Sequence, residues 1–396
     1  MVTPSRTAAG DRWTSNGRQC GVLLLVFFSV VVLWNQNVPL PQIDVTHSSR
    51  GAQLQTSISK YIYKPHTDRK LEPTDCLHLL QKYRSGQIQQ TIASQAYPID
   101  KSYVTRSNTD SSFQISVHAK NIDSMRHDIF NQGVYYEDIM SDVIADMFSK
   151  ANNDTPKVML DIGANVGWFS LLAASHGAEV FAFEPNVINV VRFCESQLLN
   201  GWSLAENFEN NNRIHTYLKG VGSEHGKTLV MYTPDPKNPG SYTFNEDLAK
   251  EHFSKMKSGG DLQKLDGGEL PIVTLDALAQ DQGWLSKHNE VKIVLMKMDI
   301  EGLEPTALAG SKELLRTKVI ENVLMEFNGD LPKSDWILLI KTLSDCGYQI
   351  YQIGDHRGPK VSFQMTSEGP ESVVDKIKKT LGPQVVNANV WFKVES

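Results

Sequence analysis

The stretch Val158–Gly167, VMLDIGANVG, decides the predicted fold of this chain. Its first half is an apolar run that predicts a buried strand. The second half predicts a tight turn, because Gly163 and Gly167 permit backbone conformations that other residues avoid and leave room for a ligand close to the main chain. VGWFSLLAASHG follows and predicts a helix that ends at Gly177. The stretch therefore indicates a strand-turn-helix unit whose helix start presents free N–H groups.

The chain continues to alternate between apolar strands and helices after this unit. Asn186 is placed to cap a helix over Val187–Leu199, and a polar insertion over 245–268 interrupts the pattern. Strands separated by helices in this way predict a doubly wound α/β fold, with a mostly parallel sheet and helices on both faces. The further strands are predicted at 179–184, 213–220, 291–299, 319–327, 348–354 and 389–394.

Two acidic residues lie at the ends of the first two predicted core strands. In such sheets ligands bind beyond the carboxyl ends of the strands, so both are candidate binding residues. Asp161 suits an ammonium group or a hydroxyl, and Glu184 can accept hydrogen bonds from both hydroxyls of a ribose. Taken singly, they also fit a plain turn and a solvated strand end. Together they favour an adenosine-bearing cofactor with a positive or zwitterionic tail.

A third loop, KMDIEGLE over 297–304, follows the apolar strand VKIVLM. Charged groups at the mouth of a buried strand cost free energy unless they are paired or used in chemistry. Asp299 or Glu301 is a candidate base for removing the proton of an acceptor hydroxyl, and Lys297 completes the predicted catalytic set. The competing interpretation is an ion pair between Lys297 and Glu301, with Glu304 capping the next helix.

Four motifs, DIGANVGWFS, FAFEP, VTLDAL and KMDIEGLEPTALAG, together resemble the FkbM-type family of S-adenosylmethionine-dependent methyltransferases. The resemblance covers Phe113–Phe392. It implies a Rossmann-like class I methyltransferase fold with a mostly parallel, seven-stranded sheet, and S-adenosyl-L-methionine as the cofactor. Glu184 would hold the ribose of this cofactor. The residues implied around its methionine part are Asp161, Gly163, Asn165 and Gly167, and Ala164 and Pro185 complete the predicted cofactor-binding set.

The activity that the resemblance implies is O-methylation of a hydroxyl group on a sugar, a glycan or a small molecule. The expected partner is therefore a hydroxyl-bearing acceptor, with carbohydrate as the favoured class. Nothing in the sequence demands a metal. Two alternatives remain open: a membrane-anchored glycosyltransferase, in which Asp299 and Glu301 hold a metal and a nucleotide-sugar, and a tethered binding module that keeps the fold without turnover.

An uncharged apolar stretch, Gly21–Trp34, predicts a membrane signal near the N-terminus. As a helix it would span about 21 Å, less than the hydrocarbon core of about 30 Å, so a signal-anchor requires tilt or local thinning of the membrane. A cleaved signal peptide and a buried core helix are the alternatives. We predict the anchor, since no small-x-small cleavage site follows Trp34.

Arginine before this stretch sets the predicted orientation, because positive charge stays on the cytosolic side. The protein is thus predicted to be a type II membrane protein with its catalytic domain in the lumen of the Golgi or endoplasmic reticulum, or to be secreted if the span is cleaved. The predicted divisions are a cytosolic tail (1–20), a signal-anchor helix (21–36), a stem with a weak helix (37–112) and the methyltransferase-like domain (113–396).

The composition of the 396 residues excludes several classes of protein. Hydrophobic residues make up 40% and charged residues 21%, which is typical of a globular protein rather than a disordered or polytopic membrane protein. A net charge of −6 without basic runs argues against binding to nucleic acid. Three of the four cysteines, Cys76, Cys194 and Cys346, follow the apolar stretch and allow at most one disulfide.

Overall fold

A computed structural model of the protein describes residues 71–87, 103–118, 129, 132–135, 138–152, 154–202, 214–233, 263–264, 269–286, 291–300, 303–328, 332–352, 361–363, 369–381 and 387–394. The predicted membrane span Gly21–Trp34, almost all of the polar insertion 245–268, and Glu301 lie outside these residues. Within the described ranges, no helix has the length and apolar character that a membrane crossing requires.

Fifteen strands and nine helices are assigned within the described residues. The strands are β1 Tyr103–Arg106, β2 Gln114–Val117, β3 Lys157–Ile162, β4 Glu179–Phe183, β5 Ile214–Tyr217, β6 Gly220–Val221, β7 Thr228–Leu229, β8 Tyr232–Thr233, β9 Gln263–Lys264, β10 Leu270–Val273, β11 Lys292–Met298, β12 Asn322–Asn328, β13 Tyr348–Gln352, β14 Val361–Phe363 and β15 Asn387–Val394. The helices are α1 Cys76–Arg84, α2 Asp138–Lys150, α3 Trp168–Ser175, α4 Val187–Leu199, α5 Leu275–Asp281, α6 Glu304–Ala309, α7 Lys312–Thr317, α8 Lys333–Asp345 and α9 Pro370–Leu381.

The main sheet has the strand order β14-β13-β15-β12-β11-β3-β4-β5. The five strands from β12 to β5 are parallel, whereas β15 runs antiparallel between β12 and β13. The predicted α/β fold with a mostly parallel sheet is therefore confirmed. One difference is an eighth strand: the three-residue β14 pairs antiparallel with β13 at the edge, and it is too short to stand out in the sequence.

The central strands are apolar on both sides because helices cover both faces of the sheet. Along β3, Val158 and Leu160 join one core cluster, while Met159 joins the other. Helices α2 and α3 contribute to the second cluster, and α5 to α9 contribute to the first. Asp161 falls in this alternation at a buried position near the end of β3.

Helix α4 begins where the sequence predicts, since the side chain of Asn186 accepts a hydrogen bond from the N–H of Ile188. The predicted stop of α3 is also confirmed. Gly177, with φ +87°, follows the last helical turn, and its N–H donates to Ala174 O.

Residues that the sequence assigned to the stem pack against the domain in the structure. Helix α1 lies on α4, and Cys76 forms a disulfide with Cys194. The chain before α1 hydrogen-bonds along the edge strand β5, where the N–H of Thr74 donates to Thr216 O at 2.7 Å. These contacts bury apolar side chains of α1 such as Leu80 and Tyr83, so the folded unit extends at least to Leu71, well before the predicted start at 113.

Candidate functional site

The candidate site lies where the strand order of the main sheet reverses. From β3 the chain proceeds through β4 to β5 on one side and later returns through β11 to β12 on the other. Such a reversal leaves a crevice at the carboxyl ends of the strands, and ligands bind there in doubly wound sheets. Lys297 on β11 stands opposite Asp161 on β3, so two of the predicted site residues meet at this point.

Asp161 is part of a buried polar cluster. Its side chain is 0% exposed, and one carboxylate oxygen accepts a hydrogen bond from Ser170 Oγ at 2.5 Å. Lys297 Nζ lies 3.8 Å from the other oxygen, 3.2 Å from Asp299 Oδ2 and 3.0 Å from the carbonyl oxygen of Gly163. Burial raises the pKa of Asp161, while the Lys297 ammonium lowers it. Lys297 therefore joins the first and third predicted loops.

Gly163 and Gly167 both have the positive φ that the turn requires, +83° and +88°. The sequence predicted that the missing side chains leave room for a ligand. In the structure, neighbouring protein atoms occupy the space that a side chain would need. A Cβ on Gly163 would lie 2.0 Å from the carbonyl oxygen of Asp299, and a Cβ on Gly167 would lie 2.1 Å from the ring of Phe193. The two glycines thus allow close packing of the protein on itself, rather than only the approach of a ligand.

Glu184 lies directly after β4, beside the turn that follows β3. Its carboxylate accepts hydrogen bonds from the N–H groups of Asn165 at 2.8 Å and Asn186 at 2.9 Å. Asn165 reaches this position through a left-handed backbone conformation, φ +52°. The N–H groups of Gly163 and Ala164 donate to Phe183 O in the same place. The predicted meeting of the Asp161 turn and Glu184 at one edge of the sheet is therefore observed.

Burial raises the pKa of Glu184 to about 7. The N–H groups that donate hydrogen bonds to its carboxylate lower this pKa, but by less than burial raises it. Between pH 4.5 and 7 the folded protein then holds a proton on Glu184 that the unfolded chain releases. The free energy of unfolding should consequently fall as pH rises through this window, and the contribution of Glu184 should level off above pH 7.

This pH dependence can be measured by urea unfolding at pH 5, 6, 7 and 8, with E184Q as the comparison. The difference in unfolding free energy between wild type and E184Q should decrease from pH 5 to pH 7, because only the wild type carries this titrating group. Asp161 and Asp276, whose pKa values burial also raises, affect both proteins alike. Parallel curves for the two proteins would contradict the assignment.

A small cleft opens beside Glu184, between the ends of β3, β4 and β5. Its walls are mostly apolar, as the base of a nucleoside requires. Pro185, predicted to bind cofactor, lies in this wall, and so does Gly163. The remaining lining residues are Ile162, Phe183, Lys219, Gly220, Val221 and Ile300.

The third loop is described in part. Asp299 is paired with Lys297, and its side chain stays 25% exposed. Glu304 is buried and accepts a hydrogen bond from the N–H of Ile300 at 3.1 Å. It therefore supports the loop before α6. Glu301 lies outside the described residues, and its predicted roles stay predictions.

Sequence reasoning missed two polar residues that support the predicted carboxylates. Ser170 on α3 donates to Asp161, and Asn189 on α4 donates to Glu184 Oε1 through its Nδ2 at 3.4 Å. Both are polar residues among apolar neighbours on a helix. That contrast is the feature of the sequence that could have identified them. In the described part of the chain, no group of three or more His, Cys, Asp or Glu side chains has an arrangement that could hold a metal.

Residues 161–350 match a known family, the methyltransferase FkbM domain. The match starts at Asp161 and includes Glu184, Lys297 and Asp299, so it covers all of the site described above. A comparison with curated proteins finds no significant sequence match.

Solved structures that resemble this chain include several methyltransferases at low sequence identity. A SAM-dependent methyltransferase from Agrobacterium tumefaciens is 12% identical, with a TM-score of 0.34, over 74% of this chain and 70% of that one. A SAM-dependent O-methyltransferase from Thermotoga maritima is 11% identical, with a TM-score of 0.28, over 74% and 78%. A human methyltransferase 10 domain containing protein is 10% identical, with a TM-score of 0.30, over 65% and 81%.

Proposed function

We propose that this protein, whose residues 161–350 match the methyltransferase FkbM domain, uses S-adenosylmethionine to methylate a hydroxyl group of a carbohydrate. The observation that carries the proposal is the meeting of two binding elements at the switch point of the sheet. The turn after Asp161 and the carboxylate of Glu184 are joined there by the hydrogen bond from Asn165. This arrangement lies next to a cleft with apolar walls.

The residues present at the site fit this cofactor. Glu184 Oε2 accepts one backbone N–H group, that of Asn165, and retains a second lone pair, which a ribose hydroxyl can use. Pro185, Val221 and Ile300 supply apolar surface for the adenine ring. Because burial raises the pKa of Glu184 to about 7, its carboxylate becomes ionised as pH rises through about 7. The ionised form binds hydroxyl donors best, so cofactor affinity should increase over the same pH range.

When bound, S-adenosylmethionine supplies the methyl group, and the residues of the chain align it, exclude water and receive the proton of the acceptor. Asp299 is the described residue best placed as the base, because it is accessible and lies at the end of β11. The ion pair with Lys297 holds its carboxylate in one orientation. Lys297 itself is 5% exposed and contacts Gly163 and Asp161, which favours a positioning role.

We also propose the predicted location, a type II membrane protein with a luminal domain. The apolar stretch Gly21–Trp34 and the arginines before it support this proposal from the sequence. The disulfide between Cys76 and Cys194 supports it independently, since disulfides persist in oxidising compartments and are rare in the cytosol.

Titration calorimetry with S-adenosylhomocysteine tests the proposed function. Wild-type protein should bind it, and E184Q should raise the Kd about ten-fold or more, because hydrogen bonds to a charged group contribute about 1.5–3 kcal/mol. E179Q is the matched control, since Glu179 begins the same strand at its other end and is 44% exposed. Its Kd should equal that of the wild type.

The alternatives give different results in the same experiment. Binding of a nucleotide-sugar without binding of S-adenosylhomocysteine would favour the glycosyltransferase. Binding of S-adenosylhomocysteine without methyl transfer to any of a panel of glycans and small hydroxyl compounds would favour the non-catalytic module. Transfer of a labelled methyl group to a glycan, reduced in D299N, is the result that we expect.

A further inference from the structure

The segment around β2 lies before the part of the chain that matches the family, yet it reaches the candidate site. It is fastened along helix α4: the N–H of Ser116 donates to Ser196 Oγ at 2.9 Å, and the N–H of Gln114 donates to Asn200 Oδ1 at 2.8 Å. This attachment places the next residue after β2, His118, against the first turn of the same helix. His118 is 1% exposed.

A chain of hydrogen bonds leads from His118 to the predicted ribose ligand. His118 Nε2 lies 2.9 Å from Asn189 Oδ1, and Asn189 Nδ2 donates to Glu184 Oε1 at 3.4 Å. Asn189 is buried on α4, one turn after the residue that caps this helix.

Chemistry decides the direction of these bonds. An ionised carboxylate only accepts hydrogen bonds, so Asn189 must present its NH₂ group to Glu184 and its carbonyl oxygen to His118. His118 Nε2 must then carry a proton and donate a hydrogen bond to Asn189 Oδ1. The imidazole thereby prevents the amide from turning over and presenting its oxygen to the carboxylate.

We propose that His118 is a positioning residue for the cofactor, acting through Asn189 to keep the Glu184 carboxylate ionised and oriented toward the ribose hydroxyls. This inference rests on the proposed function. It assigns a role in the site to a residue that lies 43 positions before the family match begins.

The other charged groups on the elements around Glu184 each have partners of their own. Lys297 on β11 is the cation that lowers the pKa of Glu184, and it is held by Asp299 and Gly163. On α4, Arg192 is paired with Glu195 at 2.7 Å. Asp161 on β3 is bound to Ser170, and Lys219 after β5 donates to the carbonyl oxygen of Glu72.

The test compares H118L and H118Q in the full chain, by titration with S-adenosylhomocysteine between pH 6 and pH 9. H118L removes the donor, so we expect a five- to ten-fold higher Kd at pH 7.5 and a shift to higher pH of the midpoint at which affinity rises. H118Q keeps an N–H donor at a similar distance, so its Kd should stay within about two-fold of the wild type. N189L should show the same shift as H118L, and the double variant should show no further effect.

H215L is the matched control. His215 also binds a glutamate, Glu179, at 2.8 Å, but at the opposite end of the sheet, so its replacement should leave the Kd and the pH midpoint unchanged.

An unchanged Kd and midpoint in H118L would overturn the inference, as would equal losses in H118L and H118Q without a shift in pH midpoint. If H118L does not fold, H118A, which removes the same donor, decides in the same way. A wild-type protein that binds no S-adenosylhomocysteine would overturn the proposed function and this role of His118 with it. Normal wild-type binding beside an unaffected H118L would overturn the role of His118 alone.

Discussion

Replacement of Lys297 with methionine is expected to lower the free energy of unfolding by about 3–5 kcal/mol, because it removes one partner of a buried ion pair. Asp161 is wholly buried, and Lys297 is the cation that lowers its pKa. The Gly163 carbonyl oxygen also loses a donor at 3.0 Å. Without the ammonium, Asp161 must stay charged at a cost or take up a proton, so the loss should be smaller at pH 5 than at pH 8.

Urea unfolding measures this loss, and the chain offers a control on the same strand. Lys292 begins β11 with a side chain that is 65% exposed and pairs with Glu321 at 3.3 Å. K292M should change the free energy of unfolding by less than about 1 kcal/mol, as is typical of surface ion pairs.

A double variant separates the ion pair from the packing of the lysine stem. In D161N/K297M neither charge is present, so its stability should be higher than the sum of the two single losses predicts. Additive losses, or a K297M protein as stable as the wild type, would show that the pair contributes little.

Removal of the Cys76–Cys194 disulfide is expected to lower the free energy of unfolding by about 2–5 kcal/mol. The bridge joins residues that are 118 positions apart, so it excludes many open conformations of the unfolded chain. It also holds α1 on α4, where the guanidinium of Arg192 lies 5.9 Å from the ring of Tyr83.

Three variants, compared by urea unfolding, test this bridge: C76S, C194S and the double variant. The free energy of unfolding should fall by the same amount in all three variants, because either substitution alone already prevents the disulfide. C346S is the control, since Cys346 is the free cysteine of the described residues. Thiol titration of unfolded wild-type protein provides a second check. Two free thiols, those of Cys20 and Cys346, should be found before reduction; four would contradict both the bridge and the proposed oxidising compartment.

Sequence alone determined the features of this protein that depend on neighbouring residues. The apolar runs predicted the strands β3, β4, β11 and β12, and Asn186 and Gly177 marked a helix start and a helix stop that the structure confirms. The DIGANVG turn and the acidic end of β4 predicted which loops form the site. Such signals are local, since periodicity, capping and backbone freedom act over a few residues.

Only the tertiary structure decided which distant residues meet. It paired Lys297 with Asp161 across neighbouring strands. It joined Cys76 to Cys194 and brought His118 within reach of Asn189. These contacts link segments that lie far apart in the chain and become neighbours through the strand order, which no local pattern of residues encodes.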